Sequence, residues 1–144
     1  MKDEIVEGLF VGDAAAALYP DVAEVDTIVN VTAEVPFSKL LSPSQKTVRY
    51  DILDIDQSDQ QSMVEILKQS CSFVERELAN GKRVLLHCLE GKQRSCTVAA
   101  GYLIRCTGMT PKEAIRLVRD RHCPAWDHGV YVHYAKALES FCHR

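Results

Sequence analysis

The chain has 144 residues, of which 47% are hydrophobic and 26% are charged, and it carries a formal net charge of −3. This length and composition fit one globular domain with a hydrophobic core of its own and make a second domain unexpected. No apolar run approaches the roughly eighteen residues that a membrane span requires, and the acidic balance argues against a general attraction to nucleic acid or anionic membranes.

The amino-terminal residues and the cysteines indicate an expected compartment. The stretch from Met1 to Ile5 is acidic and lacks the basic and then apolar layout of a secretory signal. The cytoplasm or the nucleus is therefore expected. The six cysteines show no CxxC spacing, so they are expected to be reduced thiols, and at least one is available as a nucleophile.

The first half of the chain alternates between short strand-like and helix-like segments. Gly8 interrupts the first apolar stretch and divides it into a pair of strands. A later polar stretch contains Pro43, which indicates a loop. The predicted elements are a strand pair at 5–12, a helix at 14–18, a buried strand at 27–32, a loop at 38–47 and a return to the sheet at 48–52.

The second half has stronger helical periodicity. Apolar side chains from Met63 to Leu78 fall on one face at helical spacing, and Asn80-Gly81 supplies a carboxyl-terminal stop. Thr110 to Glu113 forms a capping box with proline at the first helical position. A short strand at 83–87, a helix at 95–106 and a last helix from about 130 to 141 complete the prediction. The order indicates an α/β fold with a mostly parallel central sheet flanked by helices.

One loop in this pattern carries the chemistry. The segment from His87 to Ser95 reads His-Cys-Leu-Glu-Gly-Lys-Gln-Arg-Ser and fills every fixed position of H-C-x-x-G-x-x-R-S. Because the loop joins a strand to a helix, Cys88 faces the amino end of that helix, where unpaired N–H dipoles favour a thiolate. The residues between Cys88 and Arg94 can curl their N–H groups around a tetrahedral dianion, and Gly91 permits the backbone angles of such a curl.

The two residues that close the loop add a clamp and a thiolate partner. The guanidinium of Arg94 offers a planar fork for two phosphoryl oxygens, and Ser95 can hydrogen-bond the Cys88 sulfur when a phosphocysteine is hydrolysed. The alternative is a structural cysteine buried beside an unrelated arginine. The predicted phosphate-binding residues are Leu89, Glu90, Gly91, Lys92, Gln93 and Arg94.

The sequence resembles the cysteine-based protein tyrosine phosphatase superfamily, and within it the small dual-specificity phosphatases. Residues 5–12 look like the family's opening strand, Ile28 to Thr32 like its Asn-Val-Thr strand, and Leu85 to Ser95 like its signature loop. The resemblance covers nearly the whole chain. It implies one catalytic domain over 1–144, with a shallow site for phosphotyrosine and phosphoserine or phosphothreonine and without a metal or other cofactor.

The same resemblance implies a role for each loop residue. Cys88 is then the nucleophile, Arg94 the phosphate clamp and Ser95 the partner of the thiolate, while His87 supports the loop and favours the thiolate. The implied partner is a phosphorylated protein substrate, with no nucleic acid and no stable membrane association expected. The oligomeric state stays open.

A proton donor for the leaving group is expected among the carboxylates upstream of the loop. The family places such an aspartate on a loop well before the cysteine, and Asp56, which lies 32 positions before Cys88, is nearest to that spacing. Asp54 and Asp59 are the alternatives. The remaining carboxylates fit a solvated acidic turn.

Three further features leave alternatives open. Lys92 is a basic loop residue of the kind that suits phosphoinositide headgroups, so a phosphoinositide or RNA 5′-phosphatase on the same fold is an alternative function. A non-catalytic phospho-binding module is another, although such proteins typically lose the cysteine or the arginine, and both are present.

The spacing of the histidines and cysteine at 122, 123, 128 and 133 matches no common zinc pattern. The stretch 125–130 departs from the family's Pro-Asn and Gly-Phe pairs.

One of three arginines near the end of the capped helix can supply a second anion contact. The alternative is favourable placement of cations at a helix carboxyl terminus. The three are Arg116, Arg119 and Arg121.

Overall fold

The computed structural model describes residues 2–18, 24–53, 59–126 and 132–142. Within these ranges no helix combines the length and the apolar character needed to cross a membrane. The elements, in chain order, are β1 Lys2–Val6, β2 Leu9–Gly12, α1 Ala14–Leu18, β3 Thr27–Asn30, β4 Lys46–Arg49, α2 Gln60–Ala79, β5 Val84–His87, α3 Arg94–Thr107, α4 Pro111–Arg121 and α5 Ala135–Cys142.

The strands form one sheet in the order β1-β2-β5-β3-β4. Only β1 is antiparallel to its neighbour among these pairs, and the three other pairs are parallel. The predicted α/β class with a mostly parallel sheet is therefore confirmed. In the register His87 lies opposite both Gly12 and Asn30, so β2, β5 and β3 end at the same edge of the sheet. Chain segments that leave this edge can meet and build a site.

Helices cover both faces of the sheet. The larger core lies between the sheet and α2 to α5, and a smaller cluster around Phe10, Ile28 and Leu85 packs beside α1. Helices α2 and α3 pack closely at Gly101, where an added Cβ would lie 2.8 Å from Leu67 Cδ2. The tight α2–α3 contact fixes the helix whose amino end follows the candidate loop.

Two strands end earlier than the sequence indicates because local hydrogen bonds turn the chain. The strand predicted to Thr32 ends at Asn30, whose side-chain oxygen accepts from both the backbone N–H and the hydroxyl of Thr32. The return to the sheet at 48–52 is instead β4, since Ile52 N–H donates to Tyr50 O in a tight turn. The carbonyl of Ile52 is thereby available to the site.

The helical predictions are confirmed with shifted ends. Thr110 and Glu113 form both hydrogen bonds of the predicted capping box. The last helix begins at Ala135, later than the predicted start near 130, and residues 127–131 lie outside the described ranges.

Candidate active site

The candidate loop joins β5 to α3 at the carboxyl edge of the parallel strands. Cys88 follows the last residue of β5, and Arg94 is the first residue of α3. Gly91 has a φ of +71°, and a Cβ there would lie 3.1 Å from the Gly12 carbonyl carbon and 3.2 Å from Asp13 N. The loop therefore needs glycine at position 91 for two reasons: the backbone conformation, and the close approach of another backbone.

Hydrogen-bond donors surround the sulfur of Cys88. Gly91 N–H donates to Cys88 Sγ at 3.3 Å, and Ser95 Oγ lies 3.2 Å from the same sulfur. When Cys88 is a thiolate, the Ser95 hydroxyl can only donate to it. The sulfur thus lies beside the predicted partner Ser95 and beside a second donor, the N–H of Gly91, that was not predicted.

Two other buried thiols, Cys96 and Cys71, face hydrogen-bond acceptors, whereas the sulfur of Cys88 faces donors. Cys96 donates through Sγ to Gly91 O at 3.3 Å, and burial raises the pKa of its thiol well above its ordinary value. Burial likewise raises the pKa of Cys71 to about 12, and its Sγ donates to Val98 O. Both thiols face acceptors, which favours the protonated form and makes them poor nucleophiles.

The carbonyl groups of the loop are held on its outer side by other parts of the chain. Leu89 O accepts from Ala14 N at 3.0 Å, and Lys92 O accepts from Trp126 N at 2.9 Å. Gly91 O accepts from His122 Nε2 at 2.8 Å. Because the C=O and N–H of a trans peptide point in opposite directions, these contacts turn the next N–H groups toward the inner side of the loop. The N–H groups so oriented belong to Glu90, Lys92 and Gln93.

Trp126 reaches this position in a costly conformation. Its φ is 45°, in the left-handed region that bulky residues rarely adopt. Its ring is buried, and the guanidinium of Arg119 lies over it at 5.8 Å from the centroid. Such strain persists where surrounding contacts fix the residue, here including the hydrogen bond to Lys92 O.

The guanidinium of Arg94 is buried and held by a carboxylate. Nη1 and Nη2 of Arg94 donate to Glu34 Oε1 and Oε2 at 2.9 and 2.6 Å, and Nη1 also donates to Ile52 O at 3.0 Å. The hydrogen bond from Arg94 lowers the pKa of the Glu34 carboxyl. The bidentate pair fixes the plane of the guanidinium.

The loop after β3 positions Glu34. Arg49 on β4 donates to Thr32 O at 2.8 Å and to Val35 O at 2.7 Å, and Asn30 Nδ2 donates to the same Val35 carbonyl. Val35 N–H in turn donates to Thr32 Oγ1. This network holds the residues on both sides of Glu34 and aims its carboxylate at the start of α3.

His87 is buried at the end of β5, where the sequence placed a supporting residue. Its Nδ1 lies 3.3 Å from Cys88 O, and burial lowers the pKa of the imidazole. The ring is therefore neutral near pH 7. A neutral ring beside the Cys88 carbonyl fits a supporting position in the loop.

Of the three candidate acids, only Asp59 lies within the described residues. Asp54 and Asp56 lie outside the described residues. Asp59 is the N-cap of α2 and accepts from Ser62 N at 2.7 Å and from Ser62 Oγ at 3.0 Å. The hydrogen bond from Ser62 N–H lowers the pKa of Asp59, which keeps this exposed carboxyl ionised.

Two of the three arginines near the end of α4 have structural contacts. Arg119 stacks over the Trp126 ring, and Arg121 donates to the carbonyl of Ile5. His122, whose spacing to the neighbouring histidines and cysteine matches no zinc pattern, contacts the loop at Gly91 O. Across the described ranges, no group of three His, Cys, Asp or Glu side chains is placed to hold a metal ion.

Sequence reasoning missed the residues that hold the loop and its arginine from a distance. They are Asp3, Glu34, His122 and Trp126. Glu34 follows the Asn-Val-Thr stretch, and Trp126 lies in the segment that departs from the family pattern. Their places in the sequence mark Glu34 and Trp126 as candidates for contacts with the loop. No pattern in the sequence indicates that Asp3 contacts His122.

Comparison with known proteins gives a consistent result. The model of the family described as dual specificity phosphatase, catalytic domain, matches residues 9–129. Dual specificity protein phosphatase 1B of Arabidopsis thaliana is 28% identical over 137 residues, which cover 94% of this chain and 80% of that protein. The crystal structure of human DUSP28 matches with a TM-score of 0.84 at 23% identity, covering 99% of this chain and 93% of that one. The structure of PTPMT1 in complex with PI(5)P matches with a TM-score of 0.78 at 18% identity, covering 99% and 94%.

Proposed function

Since the chain belongs to the dual specificity phosphatase family and is a cysteine-based phosphatase, we propose that it hydrolyses phosphotyrosine and phosphoserine or phosphothreonine in proteins through a phosphocysteine intermediate. The catalytic domain in this proposal spans 1–144. The observation that carries it is the 88–94 loop, in which donors meet at Cys88 Sγ while the carbonyls are held outside.

The first chemical step forms a bond between sulfur and phosphorus. The thiolate of Cys88 attacks the phosphorus, the P–O bond to the substrate breaks, and its electron pair leaves with the alcohol or phenol oxygen. A protonated carboxyl, assigned to Asp56, gives that oxygen its proton. The inward N–H groups and the guanidinium of Arg94 take up the charge on the phosphoryl oxygens.

The second step releases phosphate. Water attacks the phosphocysteine, the P–S bond breaks, and the electron pair returns to Cys88 Sγ while the carboxylate of Asp56 accepts a proton from the water. Ser95 Oγ lies 3.2 Å from that sulfur and can donate a hydrogen bond to the departing thiolate. Inorganic phosphate and the free thiolate remain, so atoms and charge balance.

Glu34 has a positioning role in this scheme. Its carboxylate occupies the Nη1 and Nη2 end of the Arg94 guanidinium. A phosphoryl group can approach the Nε and Nη2 edge of the fork while that pair stays in place. The ion pair thus orients Arg94 before substrate arrives, which lowers the reorganisation needed in the transition state.

Asp56 is the proposed general acid, with Asp54 as the alternative. The capping contacts of Asp59 and its lowered pKa argue against a proton donor at that position. We expect Asp56→Asn to lower kcat on phosphopeptides by about 100-fold with little change in substrate binding, because general acids typically contribute 10²–10⁴-fold. Steady-state kinetics of Asp56→Asn and Asp54→Asn measure this. An unchanged kcat in Asp56→Asn would assign the general acid to Asp54.

A protein substrate is favoured over a lipid headgroup by the local charges. Lys92 Nζ lies 3.8 Å from Glu90 Oε2, so the basic loop residue has an acidic neighbour. The whole chain has a net charge of −3, which does not favour an anionic membrane. The phosphoinositide in the PTPMT1 complex belongs to that protein, and it defines the lipid to be included in the substrate test.

The test compares substrates with and without the nucleophile. Wild-type protein and Cys88→Ser are incubated with an aryl phosphate, a phosphopeptide panel, a phosphoinositide and an RNA 5′-phosphate. Phosphate release from phosphopeptides by the wild type, with none from Cys88→Ser, supports the proposal. Faster release from the phosphoinositide or RNA would favour that substrate instead. Phosphopeptide binding without hydrolysis by the wild type would indicate a phospho-binding module.

A further inference from the structure

We propose that His122, held by Asp3, is a positioning residue that sets the anion affinity of the 88–94 loop from its outer side. This inference rests on the proposed function, because it concerns how that same loop holds phosphate. It adds two residues from distant parts of the chain, β1 and the end of α4, to the machinery of the site.

The contacts of His122 define its hydrogen bonding. The side chain is buried, Nδ1 lies 2.6 Å from Asp3 Oδ2, and Nε2 lies 2.8 Å from Gly91 O. A carboxylate oxygen and a carbonyl oxygen both accept. The contact with Gly91 O is therefore a hydrogen bond donated by Nε2–H, and the Asp3 carboxyl at Nδ1 holds the imidazole in this orientation.

The bond to Gly91 O controls the orientation of one peptide group. That carbonyl and the N–H of Lys92 belong to the same planar peptide and point in opposite directions. A carbonyl held toward His122 therefore turns the Lys92 N–H toward the inner side of the loop, where the phosphoryl oxygens lie in the proposed mechanism. Among the described residues, the Sγ of Cys96 also donates to this carbonyl, at 3.3 Å, and a thiol is a weak donor.

The side chain of His122 is not needed to end its helix. The backbone N–H of His122 donates to Val118 O at 2.8 Å, which closes the last turn of α4 without the imidazole. Asp3 pairs with Val11 in the strand register through its backbone, independently of its carboxylate. Changes at either side chain thus leave these backbone contacts in place, while they alter the hydrogen bond to the loop.

The test uses inorganic phosphate as the probe, so that it does not depend on turnover. Phosphate bound in the loop is expected to protect Cys88 from alkylation by iodoacetamide, and the dependence of the alkylation rate on phosphate concentration gives a Kd. We expect His122→Phe, which keeps a ring and removes both nitrogens, to raise this Kd about tenfold, as expected for loss of one hydrogen bond near a charged group. Asp3→Asn, which does not touch the loop, is expected to raise it several-fold through His122.

Two comparisons separate positioning from general stability. His122→Gln keeps one N–H donor and is expected to recover part of the phosphate affinity lost in His122→Phe. Thr27→Val is the matched control, because it removes a buried 2.7 Å hydrogen bond to Glu77 at the opposite end of the sheet. It should lower the melting temperature and leave the phosphate Kd unchanged. With an aryl phosphate, the His122 and Asp3 variants should raise KM more than they lower kcat.

Distinct outcomes overturn the two proposals. The positioning role would be overturned if Asp3→Asn and folded His122→Phe bound phosphate with the same Kd as the control Thr27→Val. If His122→Phe does not fold, the phosphate Kd of Asp3→Asn tests the proposal alone. This variant is expected to fold, because the Asp3 carboxylate is partly exposed and the backbone contacts of Asp3 remain. A wild type that is protected by phosphate but hydrolyses no phosphoester would contradict the proposed function while leaving this test intact.

Discussion

The inner and outer faces of the 88–94 loop are built in different ways. On the inner face, the donors to Cys88 Sγ come from Gly91 and Ser95, within eight residues of chain. On the outer face, carbonyls accept from α1 and from the segment after α4. A short motif can therefore encode the chemistry, whereas the shape that makes the chemistry possible depends on distant parts of the chain.

Arg94→Lys tests the inner face and has the largest expected effect. In the proposed mechanism the phosphoryl group needs a planar fork, where a lysine places a point charge, and a lysine cannot keep the bidentate pair with Glu34. We expect kcat/KM on an aryl phosphate to fall about 1,000-fold, since transition-state donors of this kind are each worth about 10²–10³ and both phosphate and Glu34 contacts are lost.

The matched control is Arg105→Lys on the outer surface of α3. Arg105 pairs with Glu75 at 3.6 Å and is partly exposed. Its replacement should change kcat/KM and the melting temperature little. Retention of most activity in Arg94→Lys would mean that Arg94 does not clamp the phosphoryl group.

Gly91→Ala tests the point where the two faces meet. The added Cβ would lie 3.1 Å from the carbonyl carbon and oxygen of Gly12, and these backbone atoms cannot move without shifting β2. We expect kcat/KM to fall about 100-fold, because a small displacement of catalytic groups can cost about that much. Steady-state kinetics and thermal unfolding measure the two consequences.

Gly108→Ala is the control for the backbone conformation alone. Gly108 has a φ of +72°, nearly that of Gly91, but nothing lies within 4 Å of an added Cβ. Both variants should lose about 1 kcal/mol of stability from the left-handed conformation. Equal activity in the two variants would show that contact with Gly12 does not shape the loop.

Glu34→Gln tests the long-range support of Arg94 and has the smallest expected effect of the three. The amide keeps the shape of the carboxylate and removes its charge. We expect kcat/KM to fall about tenfold and the free energy of unfolding to fall by about 1 kcal/mol at neutral pH, as for a partly exposed ion pair. Glu75→Gln, which removes a more exposed pairing with Arg105, is the control.

The stability difference between wild type and Glu34→Gln should depend on pH in one direction. Arg94 lowers the pKa of Glu34 below its ordinary value of 4.5. The carboxylate's contribution is therefore complete above that value and disappears as the pH falls through the lower pKa of the folded protein. Denaturation at about pH 7 and about pH 3 measures this. A difference that persists undiminished in acid would exclude the ion pair as its source.

The sequence allowed prediction of the fold and of the inner face because both depend on local patterns. Helical spacing, the capping box and the short β-branched strands specify elements, and the fixed residues from Cys88 to Ser95 specify the loop. The strand ends were wrong where a side chain such as Asn30 turns the chain. Such competition between side-chain and ladder hydrogen bonds is not encoded in hydrophobic periodicity.

The contacts of the outer face and the Glu34 support of Arg94 could not be predicted, because they join residues far apart in the sequence. Glu34 and Arg94 are 60 residues apart, and Asp3 and His122 are 119 residues apart. Nothing in either neighbourhood identifies the partner, since a lone buried histidine or an exposed glutamate has many structural roles. Only the sheet order, which brings β1 and β3 to the two sides of β5, makes these contacts possible.

The most direct test is a crystal structure of the protein with inorganic phosphate bound. We expect phosphate above Cys88 Sγ, with the N–H groups of Glu90, Lys92 and Gln93 and the Arg94 guanidinium within hydrogen-bonding distance, and with the Glu34 pair intact. Phosphate bound elsewhere, or held in this loop without Arg94, would contradict this expectation.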